Sequence, residues 1–96
     1  MEPVIYRVSK TSDVLALSRQ IVSTMRDKTP VSLMAIGAGA VNQAVKAAAS
    51  ARLKLSLADG LDVVVRPVFS NATDTVRPGD GSAVAMSRIE LHLDVS

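Results

Sequence analysis

Residues 31–52 constrain this chain more than any other stretch. Val31-Ser-Leu-Met-Ala-Ile36 is an apolar run of strand length, it stops at Gly37-Ala38-Gly39, and an alanine-dense run at helical period then continues to Arg52. Strand, tight glycine turn and helix is the simplest reading of that order. The glycines have two uses. They accept a positive φ where the strand reverses into the helix, and they let another backbone or a ligand come close. A helix N-terminus placed there has unpaired N–H groups and a partial positive charge, which suit an anion. Chain geometry alone nevertheless accounts for two glycines in such a turn more readily than a phosphate cradle does. The known phosphate fingerprints do not match: no Lys-Ser/Thr pair follows Gly39, and Asn42 stands where G-x-G-x-x-G needs its third glycine.

On either side of this unit the hydrophobic period changes. Val4 to Ser9 alternates as a first strand, with Val4, Tyr6 and Val8 on one face and Ile5, Arg7 and Ser9 on the other. Lys10-Thr-Ser-Asp13 follows, with Thr11 or Ser12 expected as helix N-cap. From Asp13 to about Arg26, Val14, Leu17, Ile21 and Met25 recur at helical spacing, with Arg19, Gln20 and Arg26 on the polar side. Thr29 precedes Pro30 and is thereby pushed out of helical geometry. In the second helix Val41, Ala44, Val45 and Ala48 form one stripe of small side chains. That helix is expected to finish near Leu53, because Leu53-Lys-Leu-Ser-Leu57 alternates and the Asp59-Gly60 turn comes soon after. Leu61 to Phe69 is the strongest β segment, and Pro67 within it predicts an edge strand or a bulge. Ser70 to Ser82 is polar, and Ala83 to Val95 is expected as the last strand. The order is β-α-β-α-β-β. It predicts a two-layer α/β sandwich, a four-stranded mixed sheet with both helices on one face, the last two strands joined by an extended hairpin.

Composition narrows the function classes. Ninety-six residues, 48% of them apolar, make one domain, 1–96, with a real core. With one Phe, one Tyr and no Trp there is no aromatic platform on which exposed bases could stack. Eleven basic and nine acidic residues leave a formal charge of +2, so phosphate binding has to come from local clustering. The absence of cysteine excludes disulfides, thiolate chemistry and a zinc ribbon. No apolar run approaches the roughly 20 residues that span a bilayer, and Met1-Glu2-Pro3 does not open a signal peptide. The expectation is a cytoplasmic protein with no membrane partner.

The segment Ala35-Ile-Gly-Ala-Gly-Ala-Val-Asn-Gln-Ala-Val-Lys-Ala47 closely resembles the core motif of the bacterial stage V sporulation protein S family. The likeness extends more loosely from Tyr6-Arg7-Val8-Ser9 to the last strand. That family looks like a bacterial relative of Alba, the small archaeal chromatin protein that binds DNA and RNA. The resemblance implies the same β-α-β-α-β-β order, a homodimer, and a non-enzymatic regulatory protein that binds nucleic acid mainly through phosphates. It implies phosphate contacts at Lys10, in the turn into the first helix, and at Arg77, in the long hairpin. Where Alba has a basic turn before its second helix, this chain has Gly37, Ala38 and Gly39, then Gln43, so the implied binding is weak rather than a tight coating.

Taken residue by residue, Asn42 and Gln43 can bond a phosphate or a base edge, cap the helix, or lie in a dimer interface. Lys46, with Arg7 and Arg66, adds to a basic surface if these residues face one way. The Gly37-Ala38-Gly39 turn is the candidate site for a free anion or small molecule. His92 shares a strand face with Arg88, Glu90 and Asp94. Such a row can in principle do acid–base work or hold a metal, but a solvated strand face or a subunit contact is the commoner use. No metal or cofactor is implied, and no enzyme. The other class is an oligomerising protein-interaction module that binds no nucleic acid, suggested by the apolar balance and the alanine-rich helix.

Overall fold

A computed structural model describes residues 2–70 and 88–96. The elements in chain order are β1 (Val4–Val8), α1 (Val14–Met25), β2 (Val31–Ile36), α2 (Ala38–Asp59), β3 (Val63–Ser70) and β4 (Arg88–Val95). The sheet order is β1-β2-β4-β3. β1 and β2 are parallel, with Tyr6 opposite Leu33, and β4 runs antiparallel to both β2 and β3. The expected two-layer α/β architecture is therefore present, with the returning β4 inserted between β2 and β3. β3 lies at the edge, where Pro67 costs the sheet no ladder bond it needs.

Alternation along the strands sorts the sheet into two faces. Val8, Val31, Leu33, Ala35, Val63, Leu91 and Leu93 are buried on the helix side, where they meet Leu17, Ile21, Val22 and Met25 of α1 and Ala40, Ala44, Ala47, Ala48, Ala51 and Leu55 of α2. Alanines on α2 bring its backbone close to both sheet and neighbouring helix. Where α1 and α2 approach, the fully buried Ser18 donates its hydroxyl to Ser50 at 3.0 Å, which satisfies a polar group that would otherwise be orphaned.

Local chemistry moves three boundaries from the sequence expectation. The N-cap of α1 is Asp13, whose Oδ1 accepts from the N–H groups of Leu15 (2.9 Å) and Ala16 (3.2 Å). Ser12 is instead committed to the preceding turn, its Oγ accepting from the Ser9 N–H at 2.8 Å, and Thr11 donates its N–H to Ser9 Oγ. Second, α2 does not end near Leu53 but continues to Asp59. Gly60 then turns left-handed (φ 65°), and the N–H groups of Gly60 and Leu61 return to the carbonyls of Ser56 and Leu55. Leu53 and Leu57 lie on the exposed side of that helix and only Leu55 is buried, so the apparent alternation is a helix with leucines on its outer surface. Third, β3 begins at Val63 rather than Leu61, and described β4 begins at Arg88. The expected strand residues 83–87 and the polar stretch 71–82, Arg77 included, lie outside the described residues.

Candidate functional site

Two parallel strands followed by helices place their outgoing turns at the same end of a sheet, which is where α/β folds form ligand crevices. Here the Ser9–Asp13 turn after β1 and the Gly37–Gly39 turn after β2 both emerge at that end. Because Ile36 pairs with Arg88, and Arg88 with Ser70, β3 leaves and β4 enters the sheet at this end as well. A cavity of about 690 Å³ opens there, lined by Arg7, Lys10, Met34, Ile36, the Gly37–Ala40 backbone and Arg88.

The glycines have separate jobs. Gly37 is the N-cap of α2 at φ 89°, ψ 158°, a backbone region essentially closed to other residues. It offers no side-chain cap, the first turn of α2 carries no acidic residue, and the first intrahelical bond runs from the Val41 N–H to the Gly37 carbonyl. The N–H groups of Ala38, Gly39 and Ala40 thus point out of the helix end with the positive pole of its dipole. Gly39 serves packing: a Cβ there would stand 2.8 Å from Cβ of Lys10. The stem of Lys10 lies directly against the first turn of α2, which brings its charge to that helix end.

Gln43 tightens the same junction. Its Nε2 donates to the Ser12 carbonyl at 2.9 Å, binding the second turn of α2 to the β1–α1 turn. Asn42 and Lys46 are exposed on the outward side of α2, one and two turns beyond Gly39 at helical spacing. Arg7 sits on the helix-free sheet face beside Met34, and its side of the sheet reaches the cavity. Arg66 shares that face but lines a different depression, with Pro30, His92 and Asp94. Among the residues singled out from the sequence, Lys10, Gly37, Ala38 and Gly39 converge at the cavity. Gln43 buttresses it, Asn42 and Lys46 lie beside it on α2, and Arg77 is outside the described residues. Arg88 is a wall residue that alternation along β4 alone did not connect with Lys10, since the link depends on register across three strands.

The row containing His92 is built differently. Ser32 Oγ donates to Glu90 Oε1 at 3.3 Å, and His92 Nε2 lies 3.1 Å from the same oxygen. The Ser32 contact ties β2 to β4 across the helix-free face, whereas the His92 contact lies within β4. Among the described residues no three of His, Cys, Asp and Glu come together as a metal-binding group, and no helix is long and apolar enough to cross a membrane.

On the opposite face a second depression, about 460 Å³, runs between α2 and the strands β3 and β4. It is lined by Val41, Val45, Ala48, Val65, Pro67, Ile89 and Leu91 and is almost wholly apolar. Val45 was expected to share the buried stripe with Ala44 and Ala48, but it is 50% exposed because it lies on the flank of α2 that overhangs this groove. Phe69, next along the same face of β3, is 78% exposed.

The model of the family described as Stage V sporulation protein S (SpoVS) matches residues 4–88.

Proposed function

The chain belongs to the Stage V sporulation protein S family, and from that premise we propose that it is a non-enzymatic regulatory protein that binds nucleic acid through phosphate contacts at the β1–α1 and β2–α2 turns. One observation carries this reading: Lys10, Arg7 and Arg88 gather around an N-terminus of α2 that has neither a side-chain cap nor an acidic first turn. Cations and outward N–H groups at one helix end are the chemistry that phosphates engage. Met34 and Ile36 line the cavity along with the charges, and no aromatic ring is among its lining residues to stack a base. Contacts to the backbone rather than to base edges follow from that inventory, as does indifference to sequence.

The same reading makes the protein a cytoplasmic homodimer. The apolar groove between α2 and β3–β4, with Val45 and Phe69 beside it, is the surface offered to a second copy, and pairing doubles a sparse set of cations. Sedimentation equilibrium of the protein and of Val45→Asp checks this: a dimer that the substitution converts to monomer is expected, and a monomeric parent at micromolar concentration contradicts it.

The binding claim is tested by salt-dependent titration against duplex DNA, single-stranded DNA and RNA. Lys10→Ala is expected to weaken binding about equally for unrelated sequences and to lower the log–log salt slope for duplex by about 0.9, one contact's worth. No binding at low salt to any of the three overturns the reading. Retention of inorganic phosphate or a nucleotide alone would assign the cavity to a free anion instead.

A further inference from the structure

The outer surface of the helix layer carries a feature that the phosphate site does not use. α1 and α2 lie side by side, tied by the Ser18–Ser50 bond and by the Arg26–Asp59 ion pair at 3.1 Å. Between their C-terminal halves runs a groove of about 470 Å³, lined by Val22, Leu57 and Ala58 together with Arg19, Arg26 and Lys54. No carboxylate lines it. Arg19 makes no ion pair among the described residues, and Lys54 reaches only the hydroxyl of Ser18, at 3.5 Å. Leu57, in its wall, is 78% exposed, and Leu53 on α2 and Leu15 on α1 are exposed as well.

Isolated exposed leucines are ordinary. Leu57 is different: it stands in the wall of a groove beside Arg19 and Lys54, neither of which has a carboxylate partner among the described residues, while Arg26 is engaged by Asp59, so the surface is amphipathic and its unpaired charge has one sign. We propose that this groove docks an acidic amphipathic helix of a protein partner. Its apolar stripe would lie along Leu57, Ala58 and Val22, and its Asp and Glu flanks would meet Arg19 and Lys54. Two neighbouring helices leave a straight channel that accepts the ridge of a third, read as anchors at i, i+3, i+4 and i+7. The charge fixes the partner's sign, because a basic helix would meet like charges at Arg19 and Lys54. An anionic lipid surface offers the same charge, but a bilayer needs a continuous protruding apolar face, and this one is recessed between two helices.

The probe is a fluorescently labelled peptide of about four helical turns, with leucines at i, i+3, i+4 and i+7 and glutamates on both flanks, titrated with the full chain by anisotropy. Saturable binding is expected, weakened at least about tenfold by the pair Arg19→Glu and Lys54→Glu, as for charge reversal across a complementary interface, and also by Leu57→Asp. Both variants are expected to keep the parent thermal melt, since all three side chains are at the surface. Absence of saturable binding overturns the proposal, as does equal binding of a scrambled peptide or an unchanged affinity in the charge-reversed pair. Tight binding to phosphatidylglycerol vesicles that the peptide does not displace would also overturn it, by making the occupant a lipid surface.

Discussion

Replacing Gly39 with alanine sets two effects against each other, and the contact with Lys10 decides the sign. The new methyl would stand 2.8 Å from Lys10 Cβ, where ordinary contact begins at 3.4 Å. Cβ is the root of the lysine side chain and cannot swing away, so either the Ser9–Asp13 turn or the first turn of α2 has to move. That turn is held by the Ser9–Ser12 bonds and by Gln43 on the Ser12 carbonyl. Overpacking of this kind costs about 1–3 kcal/mol. Exchange of glycine for alanine inside a helix returns up to about 1 kcal/mol, less in a first turn. The net expectation is a loss of about 1 kcal/mol, which lowers the melting temperature of a domain this size by roughly 4–8 °C. The decisive assay is a double-mutant cycle with Lys10→Gly, which deletes the clashing atom. In that background Gly39→Ala is expected to stabilise, giving a coupling of about 1–3 kcal/mol in thermal or urea unfolding. Additivity within about 0.3 kcal/mol would refute the close approach of the two turns, and with it the placement of Lys10 at the helix end.

Ala44 is fully buried on the inner face of α2, so Ala44→Leu is expected to cost about 1–3 kcal/mol in a thermal melt; an unchanged melt would remove it from the core. The Asp27 carboxylate is held below its ordinary 3.8, first by the Thr29 hydroxyl and then by the Thr29 N–H. A depressed folded-state value means that the stability it contributes is present above 3.8 and lost as the pH falls through the folded value. Carboxyl NMR is expected to show the Asp27 midpoint rising toward 3.8 in Thr29→Val, and an unmoved midpoint would contradict the hydroxyl's role.

The elements whose faces differ strongly were legible in the sequence. β1 and α1 lie within a residue or two of their expected limits because one face of each is the more apolar, and β2 because its apolar run is bounded by Pro30 and Gly37. The end of α2 was not legible from period alone: Leu53, Leu55 and Leu57 alternate, yet two of the three face solvent. The Asp59-Gly60 stop was in plain view and turned out to be the true boundary. Strand alternation also reveals faces without revealing neighbours, so nothing in the residues announced that β4 separates β2 from β3. The site follows the same division. Lys10 and the glycine turn could be singled out one by one. Their contact, and the arrival of Arg88 at the same cavity, depend on register. Gln43 shows the opposite case: its residue type suggested a ligand contact, while its amide nitrogen is engaged by the Ser12 carbonyl.

The central claim is that phosphates meet the chain at the end of the sheet where the β1–α1 and β2–α2 turns emerge. Its most direct test is a proton–nitrogen correlation spectrum of the labelled protein, titrated with short duplex DNA at low salt. The account predicts that the amides of Lys10, Ala38, Gly39 and Ala40 shift most. It also predicts that shifts fade together as salt is raised, and that a duplex of unrelated sequence moves the same amides to the same extent. Shifts confined to α1 and the C-terminal half of α2, with the amides of residues 38–40 unmoved, would contradict it.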